Sequence, residues 1–351
     1  MSRKLFIMLS LVCCFALSSV SGALSGEKII LKFNAPNNPK AFGDMPQVYL
    51  TQEFKKRMEE RFPGRVQVRL YWDDQLAKTY DGALNSLQNN VIHFQFYPMT
   101  SIAEYTKAAI PFTNLFLVPY PHSQIIYDAF DGEIGDMVRE RVIREARIRP
   151  LVYWEVGFRH LLNNKAPVND IEDIKGLKFR VQPNPVHLAS FRALGTNPTP
   201  IPWAELFTAL QQGVVDGTEN PFENIKVGRL YEVQKYLTLT GHAFEMGTYA
   251  MGEEFYQSLP SDVRDGMEEI LKELTAEHRI GMAKVNSEML KMFEEKGLKI
   301  NELSPESMAR FRDAVKPARE VSREQAGAEY ADKFFELMEK YEAEYFARIK
   351  K

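Results

Sequence analysis

Two arginines stand where a planar cation could grip an anion. Period-two counting along a strand at 151–159 puts Val152, Trp154, Val156 and Phe158 on one face and Tyr153, Glu155, Gly157 and Arg159 on the other. Arg159 is therefore expected at the strand's end, opposite an apolar face. The alternation recurs over 177–182, where Leu177, Phe179 and Val181 oppose Lys178, Arg180 and Gln182 just before Pro183 and Pro185. Arg180 too is expected where a strand stops, and carboxyl ends of parallel strands are where open α/β sheets bind ligands. A guanidinium meets a carboxylate as a bidentate fork, each charge-assisted bond contributing about 1.5 to 3 kcal/mol away from water. Two such forks would hold an organic acid. Spacing alone leaves open the commoner arrangement, in which either arginine pairs with a neighbouring Asp or Glu at the surface.

A third segment runs from Pro202 to Pro221. Leu206, Phe207 and Leu210 share one helix face, and Gly213 is placed to end that helix in a left-handed cap. A short strand is expected before Asp216-Gly217, where the chain turns into an extended piece. Asn220, kept out of helical geometry by the following proline, could donate its amide to a ligand oxygen.

Catalytic patterns are missing from the sequence. The six histidines are scattered with no i, i+4 pair, and no nucleophile elbow, phosphate loop or dinucleotide fingerprint occurs. No metal, no cofactor and no enzymatic activity is expected. Carboxylates brought together by folding keep one alternative of another class open, an exported hydrolase. With 44 Lys+Arg against 47 Asp+Glu and no long run of one sign, nucleic acid is not an expected partner.

The elements that must position these residues follow from periodicity. Strands are expected at 29–33, 66–70, 93–97, 151–158 and 177–181, alternating with amphipathic helices such as the one carrying Leu50, Phe54 and Met58. This alternation predicts two α/β sheets and hence two lobes. Val263, Met267, Ile270, Leu271 and Leu274, continued by Val285, Met289 and Phe293, predict a helix of about 30 residues that bridges both lobes.

At the N-terminus, Arg3 and Lys4 precede an apolar run to Leu17, followed by Ser21-Gly22-Ala23, the pattern of a secretory signal cut after Ala23. Cleavage would remove both cysteines, leaving 328 residues with 42 basic and 47 acidic side chains, a charge of −5. An acidic exported protein would have to bind an anion through a few local arginines rather than a global field.

The runs K-G-L-K-F-R-V-Q at 175–182 and P-I-P-W-A-E-L-F-T-A-L-Q-Q-G-V-V-D-G-T-E-N-P at 200–221 resemble the solute-binding receptors of tripartite ATP-independent periplasmic (TRAP) transporters, of the C4-dicarboxylate-binding type. The resemblance implies an α/β, two-lobed periplasmic-binding-protein fold with the long helix spanning both lobes. It implies a monomer that closes on a small organic acid, whether a C4-dicarboxylate, a keto or hydroxy acid or a sugar acid, and delivers it to membrane permease subunits. By the same resemblance Arg180 pairs with the ligand carboxylate, Arg159 in V-G-F-R is a second contact, Asn220 donates to the same carboxylate, and Trp203 and Phe222 are pocket-wall positions. Asn34, Gln75 and Tyr97 are candidates for contacts from the first lobe. Lobe I is expected to comprise 24–156 plus 244–284, and lobe II 157–243 plus 285–351. A ligand sensor for a membrane kinase would use identical binding chemistry.

Overall fold

The computed structural model describes residues 28–43 and 45–350, so the expected signal segment, 1–23, lies outside the described residues. Among the described residues there are nine strands: β1 (Ile29–Asn34), β2 (Val66–Tyr71), β3 (Phe94–Pro98), β4 (Ile148–Asn163), β5 (Lys178–Val181), β6 (Asn197–Pro200), β7 (Gly217–Pro221), β8 (Tyr236–Gly252) and β9 (Lys299–Glu302). Parallel pairing joins β1 to β2 and β3, and β5 to β6 and β7, as the strand and helix alternation predicts.

The two sheets are not separate. Their strands form one ladder in the order β2-β1-β3-β8-β4-β7-β5-β6, with β9 also on β8. The cause is the length of β4 and β8, 16 and 17 residues, which pair antiparallel with each other and run through both lobes. Bulges interrupt their register between Pro150 and Val152, Glu155 and Gly157, and Arg159 and Leu161. Each bulge adds a residue and twist to the strand, which is why simple period-two counting fails along β4. Arg159 accordingly lies inside a strand that continues to Asn163, not at a strand end.

The short strand expected before Asp216-Gly217 forms after it. Asp216 is held at the start of β5, its N–H donating to the Lys178 carbonyl at 2.7 Å and its Oδ2 accepting from the Lys178 N–H at 2.9 Å. Pairing of β7 then begins at Gly217, where a Cβ would sit 2.3 Å from the Leu162 carbonyl oxygen.

Four apolar clusters fill the layers against the sheet. One gathers Phe33, Phe54, Phe94, Trp154 and Tyr249 under the first half of the long helix, Ser261–Glu295, with Phe33 stacked on Phe94 at 5.3 Å. Another gathers Leu162, Leu210, Ile225 and Leu237 with Met289 and Phe293 from the helix's far end. At 35 residues, and thus about 52 Å long, the helix bridges the two as expected. The third cluster is built on Phe179, Val181 and Phe191.

In the fourth, the helix Ala328–Ile349 buries Phe334, Phe335 and Met338 against Phe112, Phe130 and Val138. Its apolar face matches the helices Ser123–Asp131 and Glu133–Ala146, so the end of the chain packs back on a segment more than 180 residues earlier.

Candidate functional site

A cleft of about 780 Å³, including its mouth to solvent, opens between the lobes. From lobe II come Arg180 and Gln182 at the end of β5, Trp203 at the start of the helix Trp203–Gln211, Asn220 on β7 and Glu223 on the helix Phe222–Val227. From lobe I come Gln47, Tyr80, Phe96, Ser101 and Trp154. A second arm of the cleft shares Arg180, Gln182, Trp203, Tyr80 and Ser101, so Arg180 stands where the arms meet.

Arg180 is 2% exposed and donates from Nε to the Ile201 carbonyl at 2.8 Å. Among the described residues it forms no ion pair. Burial lowers its pKa to about 10, against the attraction of Glu219 and with the repulsion of Arg159. A buried cation without a counter-ion is costly, and an anion entering the cleft would relieve that cost.

Arg159 is bound differently. Its Nε meets Glu219 Oε2 at 2.5 Å, its Nη2 reaches Glu219 Oε1 at 2.8 Å, and its Nη1 reaches Glu245 Oε2 at 2.8 Å. All three side chains are essentially unexposed. The structure places Arg159 behind the cleft wall, with its fork already occupied by carboxylates. This is the pairing that spacing left open, realised in the interior. Burial alone would raise the Glu219 carboxyl, but the Arg159 charge and a bond from His242 hold it far below the usual range.

Asn220, 1% exposed, lines the cleft and donates to Thr218 Oγ1 at 3.1 Å. Trp203, 43% exposed, lines both arms and lies over Gly228, whose Cβ would come within 2.8 Å of the indole. Phe222 faces away into the core, stacked on His160 at 4.6 Å and edge-on to Phe293. The three first-lobe candidates are not brought to the cleft. Asn34 is buried, donating to Gln95 Oε1 at 2.7 Å and to Asp74 Oδ1 at 3.0 Å and accepting from the Leu76 N–H, which ties down the loop after β2. Tyr97 is buried and donates to the Tyr80 carbonyl at 3.0 Å, supporting a residue that does line the cleft. Gln75 is exposed on the loop.

Sequence reasoning missed Gln47, Tyr80, Trp154, Gln182 and Glu223. Gln182 was signalled by sharing the polar face of β5 with Arg180. Trp154 was counted only as apolar, and nothing in the spacing pointed to Gln47. The lobes are also linked directly: Gln182 Nε2 donates to Thr100 Oγ1 at 3.0 Å, which donates to Glu245, the partner of Arg159.

The family model described as bacterial extracellular solute-binding protein, family 7, matches residues 43–349. The chain belongs to this family. It is 31% identical over 332 residues to the C4-dicarboxylate-binding periplasmic protein DctP of Rhodobacter capsulatus, covering 92% of this chain and 95% of that one. Among solved structures it is similar to a TRAP periplasmic solute-binding protein from Ochrobactrum anthropi whose C-terminus is bound in its ligand-binding pocket, with a TM-score of 0.81, 33% identity and coverage of 90% of this chain and 97% of that one. It is also similar to a sugar acid binding protein from Advenella mimigardefordensis in complex with galactonate, with a TM-score of 0.80, 27% identity and coverage of 90% and 99%. The two-lobed α/β receptor fold is thus that of the TRAP family-7 receptors, which are transport binding proteins and not enzymes. No helix among the described residues is long and apolar enough to cross a membrane.

Proposed function

We propose that this family-7 receptor works outside the cytoplasmic membrane, binding a small organic acid through a salt bridge from Arg180 to its carboxylate and delivering it to a TRAP permease. The observation that carries this reading is Arg180 itself, a buried guanidinium at the meeting point of the cleft's arms with no carboxylate partner among the described residues. Asn220 adds a neutral donor to the same wall, and Trp203 supplies an apolar lid. Arg159 acts one layer back, fixing Glu219 and Glu245 and through them the strands β7 and β8 that frame the site.

Closure would turn on the chain crossings near Val156 in β4, near Ala243 in β8 and near Lys284 in the long helix, driven by ligand contacts made only when the lobes meet. The mature receptor would begin after Ala23, lie in the periplasm and act as a monomer. Titration calorimetry of the mature protein against organic acids tests the reading. A carboxylate should bind, and Arg180→Ala should abolish that binding while leaving the protein folded. Binding of uncharged sugars with indifference to every carboxylate would end it.

A further inference from the structure

Four polar atoms of the cleft wall are buried without a hydrogen-bond partner among the described residues: Gln47 Nε2, Trp154 Nε1, Gln182 Oε1 and Glu223 Oε2. Unsatisfied buried polar atoms are rare in folded proteins, and four on one cleft indicate what fills it. Their roles are fixed by neighbours. Gln47 Oε1 accepts from Asn37 Nδ2 at 3.0 Å, which leaves its amide N–H free, and Gln182 donates to Thr100, which leaves its amide oxygen free. The indole of Trp154 can only donate. The cleft therefore presents two N–H donors, one amide oxygen that only accepts, and the Glu223 carboxyl, which donates or accepts while protonated, in addition to Arg180.

Each ligand chemistry can be matched against this set. An ammonium only donates and would leave Gln47 and Trp154 unsatisfied. A second carboxylate only accepts, and would leave the Gln182 amide oxygen without a donor. Hydrocarbon would satisfy none of the four. Hydroxyl groups both accept and donate, and so can serve all four atoms. Arg180 is the one buried cation on the wall. Lys78, on the second arm, is exposed and donates to the Asp73 carbonyl.

We infer that the ligand is a polyhydroxylated monocarboxylate, its carboxylate on Arg180 and its hydroxyls read by Gln47, Trp154, Gln182 and Glu223. Gln182, whose amide oxygen is left needing a donor, is the residue that discriminates against dicarboxylates. This inference rests on the reading of Arg180 as the carboxylate site and adds to it the chemistry of the rest of the ligand.

The test compares the dissociation constants of galactonate and succinate for the wild-type mature protein, Gln182→Met, Trp154→Phe and Arg180→Ala, with a melting curve for each unliganded variant. Wild type should prefer galactonate at least about tenfold, because a site built for hydroxyls leaves its own groups unpaired when they are missing. Gln182→Met, which removes the acceptor at similar volume, should shrink that preference about tenfold, and Trp154→Phe should shrink it too, each by weakening galactonate. Equal or tighter succinate binding by wild type overturns the inference while leaving the carboxylate reading intact. So does a preference unmoved in a folded Gln182→Met. Binding of neither acid, nor of any other carboxylate, defeats the Arg180 reading and this inference with it.

Discussion

Arg159 and Arg180 are both buried, yet among the described residues only Arg159 is neutralised: it meets Glu219 at 2.5 Å and Glu245 at 2.8 Å, whereas Arg180 has a single bond there, to the Ile201 carbonyl. The same residue type thus does opposite work within one sheet. Arg159 completes the interior, and Arg180 leaves it electrically incomplete until an anion arrives.

Methionine substitutions should separate the two. Arg159→Met strands two buried carboxylates and should cost about 3 to 5 kcal/mol of stability. Arg180→Met removes an unpaired buried cation, so the unliganded protein should melt no lower than wild type while carboxylate affinity falls by at least about a hundredfold. Denaturant titration and calorimetry on both variants check the contrast. A large loss of unliganded stability in Arg180→Met would contradict it.

Asn34→Ala should behave as a scaffold change. It removes buried bonds to Asp74, Gln95 and the Leu76 N–H, and should cost about 2 to 3 kcal/mol of stability. Ligand affinity measured on the folded fraction should change less than about threefold, because the side chain does not reach the cleft.

The lid can be probed directly and through the glycine beneath it. Trp203 is partly exposed, so Trp203→Ala should leave the melting temperature nearly unchanged and weaken binding by about ten- to a hundredfold. Gly228→Ala places a methyl where the indole now lies and should weaken binding in the same direction by displacing it. Equal affinity in both variants would remove Trp203 from the site.

Acidity should act on the unliganded protein through the cleft carboxyls. Burial pushes Glu223 up to about 8, and pushes Glu245 up to about 7 despite Arg159. Groups raised in the folded state favour folding below their ordinary value near 4.5, and that contribution is lost as pH rises through the folded value. His187 and His278, pushed down to about 4 by burial, run the other way and gain stability from pH 4 to 6.5, with nothing further above that. Between pH 6.5 and 8 the carboxyls act alone, so stability should fall by roughly 1 to 2 kcal/mol, and Glu223→Gln should flatten the slope. Melting curves across that window decide it.

The sequence carried the parts of the site that depend on local pattern. Arg180 was legible because alternation and a proline stop mark the end of β5, and the long helix because its apolar stripe repeats over many turns. Arg159 was misplaced at a strand end because bulges in β4 are set by pairing with β8, a partner far along the chain. Asn34 and Tyr97 were sorted by residue type alone, and which way a buried polar side chain turns depends on neighbours such as Gln95 and Tyr80. Glu223 escaped notice for the opposite reason: a buried carboxyl resembles any surface glutamate until the fold closes over it.

The long helix has a consequence for the order in which the chain can acquire its structure. The first lobe's core is completed by Val263, Met267, Ile270, Leu271 and Leu274, and β3 pairs through Gln95 with Ala250. A nascent chain emerging from the ribosome can therefore pair β1 with β2 and β3, but leaves β3 without β8 and the sheet without its covering helix until most of the polypeptide has been made. Such a chain folds late and all but whole, and one interrupted before Leu274 keeps β1 to β3 laid on half a core.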